Sequence, residues 1–235
     1  MEVAFFEQLL AQADGAVVGV GEEGVLDDDS RAPPGPQLAD EVLLFKRLVR
    51  QVALQHGVYA TFLAKPMSDQ PGSAMHIHQS VLDIETGRNI FSTQAGKDSA
   101  LFRSYIAGLA RLLPQVTPMF APNVNSFRRM RPDSDAPINV QWGTDNRSCG
   151  LRIPISDPKN RRIENRLPGA DSNPYLAMAA SLICGYIGMV DRMVPPKPIA
   201  GSAYNRARTL PRTLEAALDR FSHCKPVKHL LGEDF

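Results

Sequence analysis

The sequence predicts an α+β domain. Two observations point there. Period-two alternation marks several short segments, among them residues 75–84 and 162–167, where positions i, i+2 and i+4 share a face. Longer runs at helical spacing stand around them, and a turn at 85–88 joins two strands as a hairpin. A chain of 235 residues with 43% hydrophobic content has enough material for one real core, so a single domain over 1–235 is expected.

The elements follow in order. Residues 3–13 predict a short amphipathic helix with Phe5, Leu9 and Leu10 on one side. Residues 16–20 predict a strand. Residues 21–37 predict an irregular loop, because Gly21 to Pro36 holds five acidic residues and three prolines without periodicity. A helix resumes over 38–56, where Val42, Phe45, Leu48, Val49 and Val52 recur at helical spacing and Gly57 is a natural stop. Residues 59–65 read as a strand and 66–72 as a turn. Residues 75–84 alternate again, and 89–91 return beside them. A helix is predicted over 99–113 with Leu101, Tyr105, Leu109 and Leu112 inward. Residues 114–125 are a loop interrupted by Pro118 and Pro122. Strands are predicted near 138–142, 150–155 and 162–167. Asn173-Pro174 then starts a long helix, since Asn caps well and Pro suits the first helical position. Residues 175–192 are apolar on most sides, which predicts a buried helix. Pro195 and Pro196 end it, and 213–221 form a last helix.

Composition excludes several classes. A net charge of +1 argues against general nucleic-acid binding, which needs a sustained basic surface. The three cysteines, Cys149, Cys184 and Cys224, are too few for a disulfide framework and predict a reduced, cytoplasmic setting. No uncharged apolar run reaches membrane-spanning length, the N-terminus lacks a signal peptide's basic region, and there is no internal repeat.

Charge is concentrated in residues 128–166. Nine Lys or Arg and five Asp or Glu fall there, interleaved with apolar residues. That distribution suits a pocket converging on a polyanion better than a solvated basic face. Strand alternation sends Arg162, Glu164 and Arg166 one way and sets one carboxylate between two guanidinium groups. A carboxylate so placed stays ionised and can hold Mg²⁺ while the arginines hold phosphate oxygens; a structural ion-pair ladder fits the pattern as well. On residues 75–80, His76, His78 and Ser80 share a face. They suit a metal and a phosphate, or are ordinary half-buried histidines. Arginines on the loops Asn125-Ser126-Phe127-Arg128-Arg129 and Asp145-Asn146-Arg147-Ser148 are anion ligands or surface pairs. Asp27, Asp28 and Asp29 lack EF-hand spacing and read as a solvated acidic loop. His223, Cys224 and His229 fall short of a zinc set.

These motifs together resemble the glutamine synthetase family. The segments are Lys65-Pro66-Met67, Gly72-Ser73-Ala74-Met75-His76-Ile77-His78-Gln79-Ser80, Asn125-Ser126-Phe127-Arg128-Arg129, Ala136-Pro137, Asn146-Arg147-Ser148, Leu151-Arg152-Ile153-Pro154, Arg161-Arg162-Ile163-Glu164-Asn165-Arg166-Leu167-Pro168 and Asn173-Pro174-Tyr175-Leu176-Ala177. Their order and spacing match over residues 38–195, and the wording is closest to the gamma-glutamylpolyamine synthetase branch. The resemblance implies a catalytic domain built on a curved, mostly antiparallel sheet flanked by helices. It implies ATP as co-substrate, Mg²⁺ or Mn²⁺ as cofactor, and ammonia or an amine joined to glutamate through gamma-glutamyl phosphate. It also implies roles. His76 and Glu164 match metal ligands, at the second and first metal positions respectively. Gly72, Arg129 and Arg166 match glutamate-binding positions. His78, Ser80, Lys159 and Arg162 match nucleotide-side positions, and Arg147 and Arg152 lie near the migrating phosphoryl group.

Departures accompany the match. The family's metal segment resembles E-E-G-x-x-Q-x-E, whereas this chain has Glu22-Glu23-Gly24-Val25-Leu26-Asp27-Asp28-Asp29. Glu22 fits the first ligand; Asp29 stands where the second glutamate belongs. Asp135 takes the place of the flap glutamate that guards the intermediate. Each shortening moves a carboxylate by a methylene, and a misplacement of about 1 Å can cost roughly 100-fold. The family's N-terminal beta-grasp domain and its Glu-x-Glu strand find no counterpart here. The expectation is therefore an incomplete catalytic domain with weak or no ligase activity on its own, unable to close the family's ring. The alternative expectation is a non-catalytic module that binds nucleotide or glutamate.

Overall fold

The computed structural model describes the backbone of residues 16–21 and all of residues 35–132 and 134–232. The predicted helix over 3–13 and most of the predicted loop, with Glu22 and Asp29, lie outside the described residues. A five-stranded sheet runs in the order β1-β2-β5-β4-β3. Its strands are β1 (Ala16–Gly21), β2 (Ile77–Asp83), β3 (Trp142–Thr144), β4 (Leu151–Ile153) and β5 (Ile163–Asn165). Three of the four pairings are antiparallel; β3 and β4 run parallel. The helices are α1 (Gly35–Gln55), α2 (Ala100–Leu112), the single turn α3 (Ser126–Arg129), α4 (Pro174–Val190), α5 (Leu214–Ser222) and α6 (Lys225–Leu231). The expected α+β fold, with a mostly antiparallel sheet, is the fold observed.

Alternation sorts the sheet into two faces. Ile77, Val81, Leu151, Ile153, Ile163 and Leu167 are buried on one face and form the core with α2 and α4. Polar side chains on that face tie the sheet to α4: the Ser181 hydroxyl donates to Gln79 Oε1 at 2.7 Å and accepts from Asn165 Nδ2 at 3.1 Å. His76, His78, Arg152, Glu164 and Arg166 therefore belong to the opposite face.

Local chemistry starts the two core helices. The Ser99 hydroxyl accepts from the Phe102 amide at 3.0 Å and caps α2. Asn173 Oδ1 accepts from the amides of Tyr175 and Leu176, with Pro174 at the first helical position of α4. The two helices meet at Gly108 and Gly188. A Cβ on Gly108 would stand 2.7 Å from Gly188 Cα and 2.2 Å from the Cys184 carbonyl oxygen. Only glycine permits this backbone approach.

Several expectations need correction. Residues 59–65 are not a strand. The Lys65 backbone instead pairs with a side chain, donating to Asn125 Oδ1 at 3.1 Å and accepting from Asn125 Nδ2 at 3.0 Å. The strand expected near 138–142 falls on 142–144, because residues 139–140 are tied elsewhere. Asn139 Nδ2 donates to the Ala203 carbonyl at 2.8 Å, and the Val140 amide donates to Thr209 Oγ1 at 3.2 Å. Leu101 is exposed rather than inward. On α1, Phe45, Leu48 and Val52 are exposed; the inward face carries Ala39, Val42 and Lys46, because apolar residues occupy two sides of this helix. Four short elements lie outside the expectations: 3-10 turns at Thr117–Met119 and Ala203–Asn205, the helical turn α3 where a loop is expected, and helix α6.

Candidate active site

Glu164 is the centre of the non-core face. It lies in the middle of β5, fully buried, with Arg152 opposite it on β4 and His78 opposite it on β2. Arg152 Nη1 donates to Glu164 Oε2 at 2.7 Å, and Arg166 Nη1 donates to Oε1 at 2.5 Å. His76 Nδ1 stands 3.1 Å from the same Oε1. Burial alone would raise the Glu164 pKa. Hydrogen bonds from His76 and Arg152 and the Arg166 charge outweigh it and hold the carboxyl well below the ordinary range.

Arg152 is held from its other side as well. Its Nε and Nη2 both donate to Asp145 Oδ1, at 3.0 and 2.6 Å. Asp145 sits in the turn after β3 with a left-handed φ of 48°. The turn's loop pattern points to Arg147 as its functional residue, but the carboxylate two residues earlier, Asp145, is the one that reaches the site. Arg147 is exposed on the same turn, and no hydrogen bond or ion pair joins it to Glu164 among the described residues.

The structure also revises the arginine pair. Alternation does place Arg162 on the face of Glu164. Its Nε, however, donates to His78 Nδ1 at 3.3 Å, and the second guanidinium on Glu164 is Arg152. Ser80 follows His78 two residues along β2, half-buried. Lys159 is exposed, and its carbonyl accepts from Asn89 Nδ2 at 3.0 Å.

Arg129, on α3, is buried and donates to the carbonyls of Leu167 at 2.8 Å and Arg166 at 3.0 Å. Burial, then the nearby Arg166 charge, pushes its pKa down to about 10. Gly72 lies against this side chain: a Cβ there would stand 2.9 Å from Arg129 Cγ and 2.8 Å from the Ala64 carbonyl. Arg166 Nε is buried with no hydrogen-bond partner among the described residues. A buried donor left open beside a cationic cluster is suited to an anionic ligand. Asp135 is exposed with a φ of 56° and lies one residue beyond Ser134, whose hydroxyl donates to the Arg129 carbonyl at 2.7 Å.

A metal centre is only half supplied by these residues. His76 Nδ1 and Glu164 Oε1 stand side by side, one donor from each of the two expected metal positions. Among the described residues no three His, Cys, Asp or Glu side chains cluster as metal ligands. Two donors fall short of the oxygen-rich shell that Mg²⁺ takes. His223 and His229 do not complete a zinc set. The described helices include none long and apolar enough to cross a membrane.

With this geometry in view, comparison with known proteins is decisive at the family level. Residues 29–235 match the glutamine synthetase catalytic domain. The chain is 37% identical over 220 residues to type-1 glutamine synthetase 2 of Dictyostelium discoideum, covering 90% of this chain and 42% of that protein. It is 39% identical over 201 residues to gamma-glutamylputrescine synthetase PuuA of Escherichia coli, covering 85% of this chain and 42% of that protein. A solved structure titled "Apo GmaS without ligand" superposes with a TM-score of 0.77 at 26% identity, over 99% of this chain and 55% of its own. The chain belongs to the glutamine synthetase family, whose relatives here are named as carbon–nitrogen ligases. It spans less than half the length of these curated relatives.

Proposed function

We propose that this chain carries the phosphoryl-handling face of a ligase that joins ammonia or an amine to the gamma-carboxylate of glutamate at the expense of ATP. The observation that carries the proposal is the Arg152–Glu164–Arg166 cluster with its open buried Arg166 Nε. Activation of a carboxylate by phosphoryl transfer spreads negative charge over several oxygens, and fixed guanidinium groups stabilise it without reorganising. Glu164 keeps two mutually repelling cations side by side and aims them. Arg166, with Gly72 and Arg129 behind it, is assigned to glutamate. Arg152, with Arg147 on the adjoining turn, is assigned to the phosphoryl group. His78, Ser80, Lys159 and Arg162 form the nucleotide side. Asp135 is assigned to the flap over the intermediate.

Mg²⁺ or Mn²⁺ is the cofactor implied by the family. His76 and Glu164 are the donors this face offers it, and Glu22 and Asp29 are the carboxylates proposed to join them. The ion would neutralise phosphate charge when bound.

The test is ligand-induced stabilisation followed by turnover. ATP with saturating Mg²⁺, and glutamate separately, should each raise Tm. ADP release should then depend on glutamate, assayed with ammonia, ethanolamine and putrescine. ATP and glutamate that both leave Tm unmoved would overturn the proposal. ATP stabilisation without turnover would favour the binding module over the ligase.

A further inference from the structure

The loop that carries Lys159 and Arg162 is fastened from outside the charged stretch. Asn89, at the return arm of the β2 hairpin, is buried. Its Nδ2 donates to the Lys159 carbonyl at 3.0 Å and to the Arg161 carbonyl at 2.7 Å. Its Oδ1 accepts from the Phe91 amide at 2.9 Å, which fixes which way the amide faces. Every polar atom of this side chain is therefore committed. The same arm adds three further ties. Ser92 Oγ donates to the Pro158 carbonyl at 2.7 Å, and Arg161 donates to Asp98 at 2.7 Å and to the Gly96 carbonyl at 3.1 Å.

The hairpin arm is itself anchored to the site strand. The Ile90 amide donates to the Val81 carbonyl at 2.9 Å, and β2 carries His78 and Ser80. One rigid path thus runs from β2 through Asn89 to the backbone of 159–161, and back through Arg162 to His78. Lys159 is fixed at its carbonyl while its side chain is exposed. That arrangement sets where a mobile ammonium starts and leaves it free to follow a phosphate chain.

We propose that Asn89 is a positioning residue for the nucleotide side of the site, holding residues 158–161 so that Lys159 and Arg162 converge with His78 on a nucleoside triphosphate. This rests on the nucleotide-side assignment above. It adds a residue that touches no substrate and acts only through the loop.

The test uses the full chain and two variants, Asn89→Asp and Asn89→Ser. Aspartate keeps the shape but sets a carboxylate against two carbonyl oxygens; serine removes the amide without adding charge. A fluorescent ATP analogue with Mg²⁺, and glutamate separately, are titrated into each protein, and backbone hydrogen exchange is followed over 156–162. The expected result is at least a tenfold loss of nucleotide affinity in both variants, glutamate affinity within twofold of the parent, and faster exchange confined to 156–162. Equal losses for both ligands, or none, overturn the proposal while leaving the ligase reading intact. A parent chain that binds no nucleotide defeats the nucleotide-side reading instead. In that case localised exchange in the variants still supports Asn89 as the loop's fastener, and unchanged exchange removes even that.

Discussion

Arg152 and Glu164 sit directly opposite each other across the β4–β5 pairing, and their side chains meet at 2.7 Å in a buried setting. Antiparallel neighbours present opposed side chains on one face, so register alone brings the pair together. Arg166 closes on the other oxygen from two residues along β5. One carboxylate thus bridges two cations that would otherwise repel.

Glu164→Gln should therefore be costly. It leaves buried Arg166 without its carboxylate and Arg152 with Asp145 alone, a change worth about 3–5 kcal/mol in comparable buried pairs. Thermal unfolding at pH 7 measures it, and an unchanged Tm would contradict the clustered-charge reading. The acid side follows from the same carboxyl. Its pKa is lowered on folding, so its stabilising contribution is present above the ordinary value of 4.5 and is lost as pH falls toward the folded value. The parent should lose stability on acidification below about pH 4.5, and Glu164→Gln should lose less over that interval.

Asp145→Asn separates aim from stability. The Asp145 side chain is 49% exposed, so its ion pair with Arg152 contributes at most about 1 kcal/mol. Arg152 Nε and Nη2 would nonetheless face a neutral amide oxygen in place of a charged carboxylate, and the anchor that aims the guanidinium would weaken. ADP release should fall by more than the small Tm change accounts for. A Tm drop as large as that of Glu164→Gln would sink the distinction.

Gly72→Ala tests the glutamate side. The added Cβ would crowd the Ala64 carbonyl and Arg129 Cγ at under 3 Å, so the loop or Arg129 must shift. Overpacking of this kind costs about 1–3 kcal/mol. Glutamate affinity should weaken while ATP affinity holds, as read by separate titrations. Parallel losses for both ligands would count against assigning Gly72 to glutamate.

Much of this arrangement was legible one strand at a time. The alternation of Arg162, Glu164 and Arg166, the cap at Asn173 and the shared face of His76 and His78 are short-range properties, and the structure keeps each. What local pattern could not supply was partner choice. Arg152 displaced Arg162 as the second guanidinium on Glu164, because β4 lies beside β5 and Arg162 turns to His78. Asp145 and Asn89 act across gaps that only the folded chain closes. Residues 59–65 failed as a strand for a related reason. Alternation marks a chain ready to pair, but the partner that arrived was the Asn125 side chain. Helix α1 shows the limit of the apolar count: Phe45, Leu48 and Val52 have the right spacing, yet Ala39 and Lys46 face inward.

The contact of Gly108 with Gly188 behind the sheet has a mechanical consequence. Two helices touching backbone to backbone have no clearance, so neither can slide without breaking the joint. The opposite face is braced by charge instead: Arg152 is held by Glu164 and Asp145, and Arg166 by Glu164. Stiffness is thus supplied from both sides, by backbone contact behind the sheet and by ion pairs in front of it. A ligand arriving at Arg152 and Arg166 meets guanidinium groups already aimed, above a floor that does not give.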